Sequence, residues 1–470
     1  MLTYFRVNDP YRVIGVFILL ILIRLPYLLY GAPITIPELN WMLVGETMAE
    51  GNTLYSGVRD NIGPLAALIY SFIELLFNRS AVVYVILAIF LTTIQSLIFN
   101  NFLLNKKAYN ENTYVPALVY VLLSSFSFDF YFLSPVLISL TWILLALRNV
   151  VYRVESRSRD NRILSTGIYI GLAALCYLPS IIFLLSTIIA YLLFANISFR
   201  RYLLLLTGTA LPFLASMTYF FLTDAMDAFI EQYILSFQNF SQHVFTSPLT
   251  LLYMGMVALI FLLISLYRVG QMRFTNQQNK LQQIMFINIL ATLVTLFFVH
   301  DLAPYHLLPF VPPVAFFVTH YLLSIRKFLL GELATVLLAT LTILNGYAFL
   351  FGLFSLDRVF DTSKLLVQET IYDELVIGKD ILVMGDGLSI YRNARLATPY
   401  LNWQLSAPQL QGINYFTNLT AVYNSFNKDM PEVIIDLEQV MPLLQSQVPL
   451  LESSYQLQPG SQNVYLLVNP

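Results

Sequence analysis

Residues 37–64 have the sequence PELNWMLVGETMAEGNTLYSGVRDNIGP, a polar stretch in an otherwise apolar part of the chain. It contains the charged residues Glu38, Glu46, Glu50, Arg59 and Asp60. The flanking segments 11–30 and 81–104 are apolar and have about the length that crosses a bilayer, roughly 20 residues of helix. Because only 11% of the chain is charged, this local concentration indicates a site at a membrane surface.

The composition indicates a polytopic membrane protein. Of the 470 residues, 58% are hydrophobic and 15% aromatic, and the mean hydropathy is +0.70, which exceeds the usual range of soluble chains. Apolar segments that approach or reach spanning length lie at 11–30, 81–104, 114–128, 130–147, 164–176, 178–195, 202–222, 249–267, 282–299, 305–324 and 331–355. We therefore predict a polytopic α-helical fold with about 11 transmembrane helices.

The distribution of Lys and Arg predicts the orientation of these helices. If the N-terminus is cytoplasmic, the outside connections near 129, 177, 223–248 and 300–304 contain no Lys or Arg. Only the 31–80 loop has any, at Arg59 and Arg79. Since cytoplasmic connections are enriched in basic residues, the N-terminus is expected inside and the C-terminal part outside.

Near residue 359 the sequence pattern changes from long apolar segments to shorter, more polar ones. Strand-type runs then alternate with polar helical stretches, as in KDILVMGDG at 379–387 and PEVIIDL at 431–437. We predict a transmembrane domain at 1–358, with a long first external loop at 31–80, and an extracytoplasmic α/β domain at 359–470. The net charge of −2 and the absence of a basic stripe argue against nucleic acid as a partner.

Two acids of the polar loop are candidate functional residues. Glu38 precedes apolar positions with helical spacing, so it is expected near the N-terminus of an amphipathic interfacial helix, where the helix dipole favours a carboxylate. Asp60 precedes an Asn-Ile-Gly-Pro turn. Each has a structural alternative, because Glu38 can cap its helix and Asp60 can stabilise the turn.

A second polar group lies at the predicted outer end of a late span. It contains His300, Asp301, Tyr305 and His306. Ionisable residues at such positions often serve function, although His and Tyr also occur in ordinary interfacial belts. Both interpretations remain open from the residues alone.

Several short motifs carry a resemblance to a known superfamily. The polar loop contains Gly-x-x-Leu-Tyr at 51–55 and Asp-x-x-x-Pro-Leu at 60–65, a late span begins with PYHLLPFVPPVAFF at 304–317, and the tail contains ILVMGDGLSIYRNARLATPYL at 381–401. With the long acidic loop, these motifs resemble the GT-C glycosyltransferases, of the protein-mannosyltransferase and aminoarabinose-transferase type. The segment GIYIGLAALCYLPS at 167–180 also resembles membrane proteins of Bacteroidota, which implies no function.

The GT-C resemblance implies an enzyme that moves a sugar from a polyprenyl-phosphate donor to an acceptor at the outer face of a bacterial inner membrane. It implies Glu38 as base and Asp60 as second acid, and membrane lipid as a further partner. If a divalent metal takes part, these two carboxylates are its candidate ligands. Candidates for substrate binding are Arg59, His300, Asp301, Tyr305 and His306.

The chain departs from the GT-C pattern at one position. Members of the superfamily usually carry Asp-Glu where this chain has Pro37-Glu38, and that Asp is their expected base. Either Glu38 has taken over the role, or Asp60 serves, or the fold persists without transfer chemistry. The alternatives are therefore a non-catalytic scaffold, such as an envelope-complex subunit, and a transporter. A transporter would need acids near the middle of the membrane, whereas Glu74 and Glu332 lie near the ends of apolar segments.

Overall fold

The computed structural model describes residues 1–31, 33–155, 160–238, 245–299, 302–348 and 364–468. Most of this chain is helical. The α-helices are, in chain order, α1 (Leu2–Arg6), α2 (Arg12–Leu29), α3 (Ile36–Ala49), α4 (Pro64–Phe77), α5 (Ala81–Asn105), α6 (Val115–Leu123), α7 (Pro135–Glu155), α8 (Asn161–Cys176), α9 (Ile182–Phe194), α10 (Phe199–Leu222), α11 (Met226–Phe229), α12 (Pro248–Met254), α13 (Met256–Val269), α14 (Asn276–Leu296), α15 (Val311–Ser324), α16 (Phe328–Ala348), α17 (Asp373–Val376), α18 (Trp403–Gln411), α19 (Phe416–Lys428), α20 (Met441–Gln447) and α21 (Pro449–Ser454). The strands are β1 (Asp380–Met384), β2 (Arg395–Leu396), β3 (Val433–Asp436), β4 (Tyr455–Leu457) and β5 (Val464–Leu467).

Shorter helical turns connect some of these elements. The 3₁₀ turns are Phe128–Tyr131, Leu178–Ile181, Leu235–Gln238, Pro304–Phe310 and Leu388–Asn393, and one π-helical turn covers Ile230–Ile234.

Every segment predicted to span the membrane contains a helix, but these helices differ in length. Within the described ranges, six are long and apolar enough to cross a bilayer: α2, α5, α7, α10, Pro304–Ser324 and α16. The pair α12 and α13, bent by 61°, makes a seventh when it is counted as one span. Helix α6, by contrast, has only 9 residues. The chain is a multi-pass membrane protein in which six or seven of the eleven predicted segments meet the length requirement.

The chain divides into two compact units. Unit 1 consists of Met1–Pro33, Ala81–Ser216 and Phe240–Thr362, and it contains all of these spans except the last residues of α10. Unit 2 consists of Ile34–Ser80, Met217–Asn239 and Ser363–Pro470. Unit 2 therefore combines the polar loop, the end of α10 with the residues that follow it, and the tail. The expected domain boundary at 358–359 lies outside the described residues.

In unit 1, helices α8 and α10 approach each other at two glycines. A Cβ atom on Gly167 would lie 2.2 Å from the carbonyl oxygen of Leu205, and one on Gly208 would lie 2.4 Å from that of Leu164. Both distances are far below van der Waals contact. Small residues at such positions allow membrane helices to pack backbone against backbone.

We expect Gly167→Val to lower the thermal unfolding midpoint of the detergent-solubilised protein. The added side chain overlaps the backbone of α10, so the two helices must separate, and overpacking of this kind costs about 1–3 kcal/mol. Intrinsic fluorescence on heating measures the effect. Gly270→Val is the matched control, because a Cβ at Gly270 meets its nearest atoms at 3.5 Å. Equal midpoints for the two variants would contradict the close helix crossing.

Unit 2 contains a small five-stranded sheet with the strand order β2-β1-β3-β5-β4. Strand β1 is parallel to β2 and β3, whereas β5 is antiparallel to β3 and β4. Helices α18 and α19 contribute Leu410, Val422 and Phe426 to its apolar core. The predicted α/β organisation of the tail is confirmed as a small C-terminal sheet domain.

Candidate functional site

Helix α3 of unit 2 begins with a capping box formed by Thr35 and Glu38. The backbone N–H of Thr35 donates to Glu38 Oε2 at 2.9 Å, and the backbone N–H of Glu38 donates to Thr35 Oγ1 at 3.3 Å. Only 1% of Glu38 is exposed. Glu38 therefore caps helix α3, which was the structural alternative for this residue. The role of Glu38 as a base stays a prediction.

The rest of α3 differs from the amphipathic interfacial helix expected from the sequence. Its buried residues lie on more than one side and include Leu39, Trp41 and Met42. Glu46 forms an ion pair with Arg79. The guanidinium of Arg79 also donates to the carbonyl oxygens of Tyr391 and Ala394. Helix α3 is therefore an internal element of unit 2.

Asp60 is fully buried and lies at the centre of a hydrogen-bond network in unit 2. Its Oδ2 accepts from the side-chain amide of Asn40 at 2.8 Å, and its Oδ1 accepts from the backbone N–H of Ile62 at 2.8 Å. The side chain of Asn402 makes a further hydrogen bond to this carboxylate. Because Asn40 lies on α3 two residues after Glu38, the network connects the helix that carries Glu38 to the loop that carries Asp60.

Burial makes the carboxyl group of Asp60 a weaker acid than an ordinary aspartate. The loss of hydration raises the pKa of its carboxyl group from 3.8 to about 6, and the hydrogen bonds from Asn40 and the backbone of Ile62 oppose this change only in part. The group therefore exchanges its proton close to neutral pH. That is the range in which a carboxylate works well as a general base.

Arg59 attaches the same loop to the tail. Its backbone N–H donates to Pro399 O at 2.7 Å, and its carbonyl accepts from the N–H of Asn402 at 3.2 Å. The guanidinium donates to Leu405 O at 3.1 Å. Burial lowers the pKa of this guanidinium below its usual value. These contacts give Arg59 a structural role, and phosphate binding by Arg59 stays a prediction.

Tyr305 and His306 lie in unit 1, at the start of the 3₁₀ turn Pro304–Phe310. The backbone N–H of Tyr305 donates to Asp129 Oδ2 at 2.7 Å, and His306 Nδ1 lies 2.9 Å from the hydroxyl of Tyr177. Ser127 donates to the other oxygen of Asp129 at 2.7 Å. The contacts fix the backbone and imidazole of this turn, while the proposed binding roles stay predictions. His300 and Asp301 lie outside the described residues.

Comparison with solved structures gives matches over the full length of the chain. The crystal structure of ArnT from Cupriavidus metallidurans bound to undecaprenyl phosphate matches with a TM-score of 0.57 and 10% sequence identity, covering 98% of each chain. ArnT in the apo state matches with a TM-score of 0.55 and 10% identity, covering 96% of this chain and 97% of ArnT. The Archaeoglobus fulgidus oligosaccharyltransferase AglB, with an inhibitory peptide and a dolichol-phosphate, gives 0.47 at 12% identity, covering 98% of this chain and 74% of AglB.

The chain has the GT-C fold. This confirms the predicted fold class and a resemblance to GT-C enzymes at the level of the fold. No protein-family profile and no curated protein sequence matches the chain. At 10% identity, the similarity to ArnT is one of fold rather than of sequence.

Within the described parts of the chain, the side chains do not form a site that fits a divalent metal. Among the described residues, no three His, Cys, Asp or Glu side chains form a group that could hold a metal ion. Both oxygens of Asp60 already accept hydrogen bonds from N–H groups, which a cation would have to displace.

Three residues that the sequence analysis did not select take part in these networks. Asn40 and Asn402 hold Asp60, and Asp129 holds Tyr305. Asn40 lies within the polar stretch itself, two residues after Glu38 on the predicted helix, so the sequence contained a local signal for it. Asn402 and Asp129 had none, because their partners lie 342 and 176 residues away, respectively.

Proposed function

We propose that the chain is an integral membrane glycosyltransferase that moves a hexose or pentose from a polyprenyl-phosphate donor to an acceptor. The observation that carries this proposal is the GT-C fold, matched over 98% of both chains to a structure of ArnT bound to undecaprenyl phosphate. The long hydrophobic donor fits a chain with six or seven potential membrane spans. The buried acids of unit 2 supply groups suited to the chemistry.

In the proposed reaction, the bond between the anomeric carbon and the lipid phosphate oxygen breaks as an acceptor oxygen attacks that carbon. The acceptor loses its proton to a carboxylate, and the lipid phosphate leaves as an anion. General-base catalysis of this kind contributes about 10²–10⁴-fold to rates. Asp60 suits the task because its pKa of about 6 keeps it ionised near neutral pH yet basic enough to accept a proton. Glu38 is the other candidate for this role.

Cationic or hydrogen-bonding groups are needed where negative charge develops on the departing phosphate. Arg59 remains the candidate in unit 2, and Tyr305 and His306 remain candidates in unit 1. Together with His300 and Asp301, they form the proposed substrate-binding set. We also propose the topology predicted from the sequence. The chain lies in a bacterial inner membrane with its N-terminus in the cytoplasm, its transmembrane domain at 1–358 and an extracytoplasmic domain at 359–470.

The experiment that tests the proposal is turnover of radiolabelled polyprenyl-phosphate sugars by the purified full-length protein in detergent or lipid nanodiscs. A panel of hexose and pentose donors is incubated with a lipid and protein extract as the acceptor source. Donor-dependent transfer or sugar release is expected for at least one donor. A folded protein that is inert towards the whole panel would contradict the proposal and leave the non-catalytic scaffold as the better description. Movement of the sugar-lipid across a sealed bilayer without bond cleavage would instead support a transporter.

A further inference from the structure

Tyr55 adopts a backbone conformation that is rare for a large side chain. Its φ angle is +70°, in the left-handed region that favours glycine, and its side chain is completely buried. A residue other than glycine in this region typically costs about 1 kcal/mol or more, so surrounding contacts must hold it there. Such residues concentrate where a precise backbone geometry serves a function.

Several contacts in unit 2 hold Tyr55 in place. Its backbone N–H donates to Val58 O at 2.9 Å, and the side-chain amide of Gln232 donates to its carbonyl oxygen at 2.8 Å. Its ring packs against Phe220, Phe229 and Tyr233, with ring centroids 5.2, 5.7 and 6.2 Å away. Gln232 and Tyr233 belong to the π-helical turn Ile230–Ile234, a geometry that is frequent at functional sites.

The hydroxyl of Tyr55 connects this cluster to Asp60 through one residue. It donates to the carbonyl oxygen of Ile62 at 2.8 Å, and the N–H of the same Ile62 donates to Asp60 Oδ1 at 2.8 Å. Tyr55 and Asp60 therefore bind the two polar backbone groups of a single residue. Any movement of Tyr55 changes the position of the Ile62 backbone, and with it one of the hydrogen bonds that fix the carboxylate.

We infer that Tyr55, held by Gln232 and the π-helical turn, is a positioning residue that keeps the Asp60 carboxylate buried and correctly oriented for its reaction. This inference rests on the proposed function for its catalytic consequence, but its structural part is measurable without any transfer activity. It assigns Phe229 and the π-helical turn Ile230–Ile234 a defined task, which is to hold the polar loop in the conformation that shields Asp60 from water.

The first test compares the chemical accessibility of Asp60 in wild type and Tyr55→Phe. The substitution removes only the hydroxyl and keeps the packed ring. Carbodiimide-driven amidation of the intact protein, quantified by peptide mass spectrometry, is expected to rise several-fold at Asp60. Asp436, a second buried carboxylate in unit 2 that is 2% exposed and accepts from the N–H groups of Val440 and Met441, should stay protected and serves as an internal control for unfolding.

The second test measures the pH dependence of that labelling. Water admitted beside Asp60 lowers the pKa of the carboxyl group, so the labelling midpoint of Tyr55→Phe should move to lower pH by about one unit. Gln232→Met removes the side-chain amide that donates to the carbonyl oxygen of Tyr55. This variant should also move the labelling midpoint of Asp60 to lower pH. Tyr423→Phe, at an exposed tyrosine on α19, is the matched control.

The outcomes separate this inference from the proposed function. If Asp60 in Tyr55→Phe and Gln232→Met keeps the wild-type labelling rate and midpoint, the inference is wrong, whether or not the protein transfers sugars. If labelling changes as expected and wild type transfers sugars, the pH profile of kcat should show the same displacement. If labelling changes but wild type has no activity on the donor panel, Tyr55 positions Asp60 and only the proposed function fails.

Discussion

If Glu38 is the catalytic base, Glu38→Gln should abolish most sugar transfer and leave the protein folded. A capping box accepts glutamine in place of glutamate, because the side-chain carbonyl can still accept the N–H of Thr35. The neutral amide, however, cannot take a proton from an acceptor hydroxyl. If Glu38 is the base, we expect kcat to fall by about 10²–10⁴-fold, with a thermal unfolding midpoint close to that of wild type. Donor turnover and heating curves on one preparation measure both quantities.

Thr35→Ala is the complementary variant because it weakens the cap and keeps the carboxylate. Loss of a threonine cap costs about 0.5–2 kcal/mol of stability. Its unfolding midpoint should therefore fall while transfer decreases less than in Glu38→Gln. The reverse pattern, with Glu38→Gln fully active, would assign Glu38 to helix capping alone and leave Asp60 as the candidate base.

Asp60→Asn should change both activity and the dependence of stability on pH. The raised pKa of Asp60 means that the folded protein binds a proton at this site more tightly than the unfolded chain does. Between pH 3.8 and about 6, the folded state is therefore protonated where the unfolded state is ionised, and stability falls as pH rises through this window. Above pH 6 the buried carboxylate costs about 3 kcal/mol relative to an ordinary Asp.

Unfolding midpoints at several pH values between about 4 and 7 measure this effect. Wild type should lose stability relative to Asp60→Asn as the pH rises. The asparagine variant has a separate loss of stability that does not change with pH, because its NH₂ group faces the N–H donors that bind Asp60. Asp227→Asn, at an exposed aspartate on α11, should follow the wild-type pH dependence. Parallel curves for wild type and Asp60→Asn would show that Asp60 has an ordinary pKa.

The same titration predicts the pH dependence of catalysis. If Asp60 is the base, only its ionised form accepts a proton, so wild-type kcat should rise with pH and level off above about 6. Asp60→Asn should lose about 10²–10⁴-fold in kcat, whereas Asp227→Asn should keep the wild-type profile. An active Asp60→Asn variant with an unchanged pH profile would exclude Asp60 as the base and leave its role in holding Asn40 and Ile62.

The sequence by itself determined the elements that depend on local pattern. Apolar runs predicted a helix in each of the eleven segments, and the β-type runs predicted strands β1 and β3, because these signals need only the periodicity of neighbouring residues. The possible cap at Glu38 was also local, since Thr35 and Glu38 are three residues apart.

Only the tertiary structure decided the environment of the candidate acids. Asp60 receives hydrogen bonds from Asn40 and Asn402, which are 20 and 342 residues away, and Arg59 donates to Leu405, 346 residues away. Burial raises the pKa of Asp60, and burial is a property of the packed chain rather than of the Arg-Asp-Asn-Ile sequence around it. The sequence could select the acids of the polar loop, but their chemistry depends on contacts that form only when distant segments pack together.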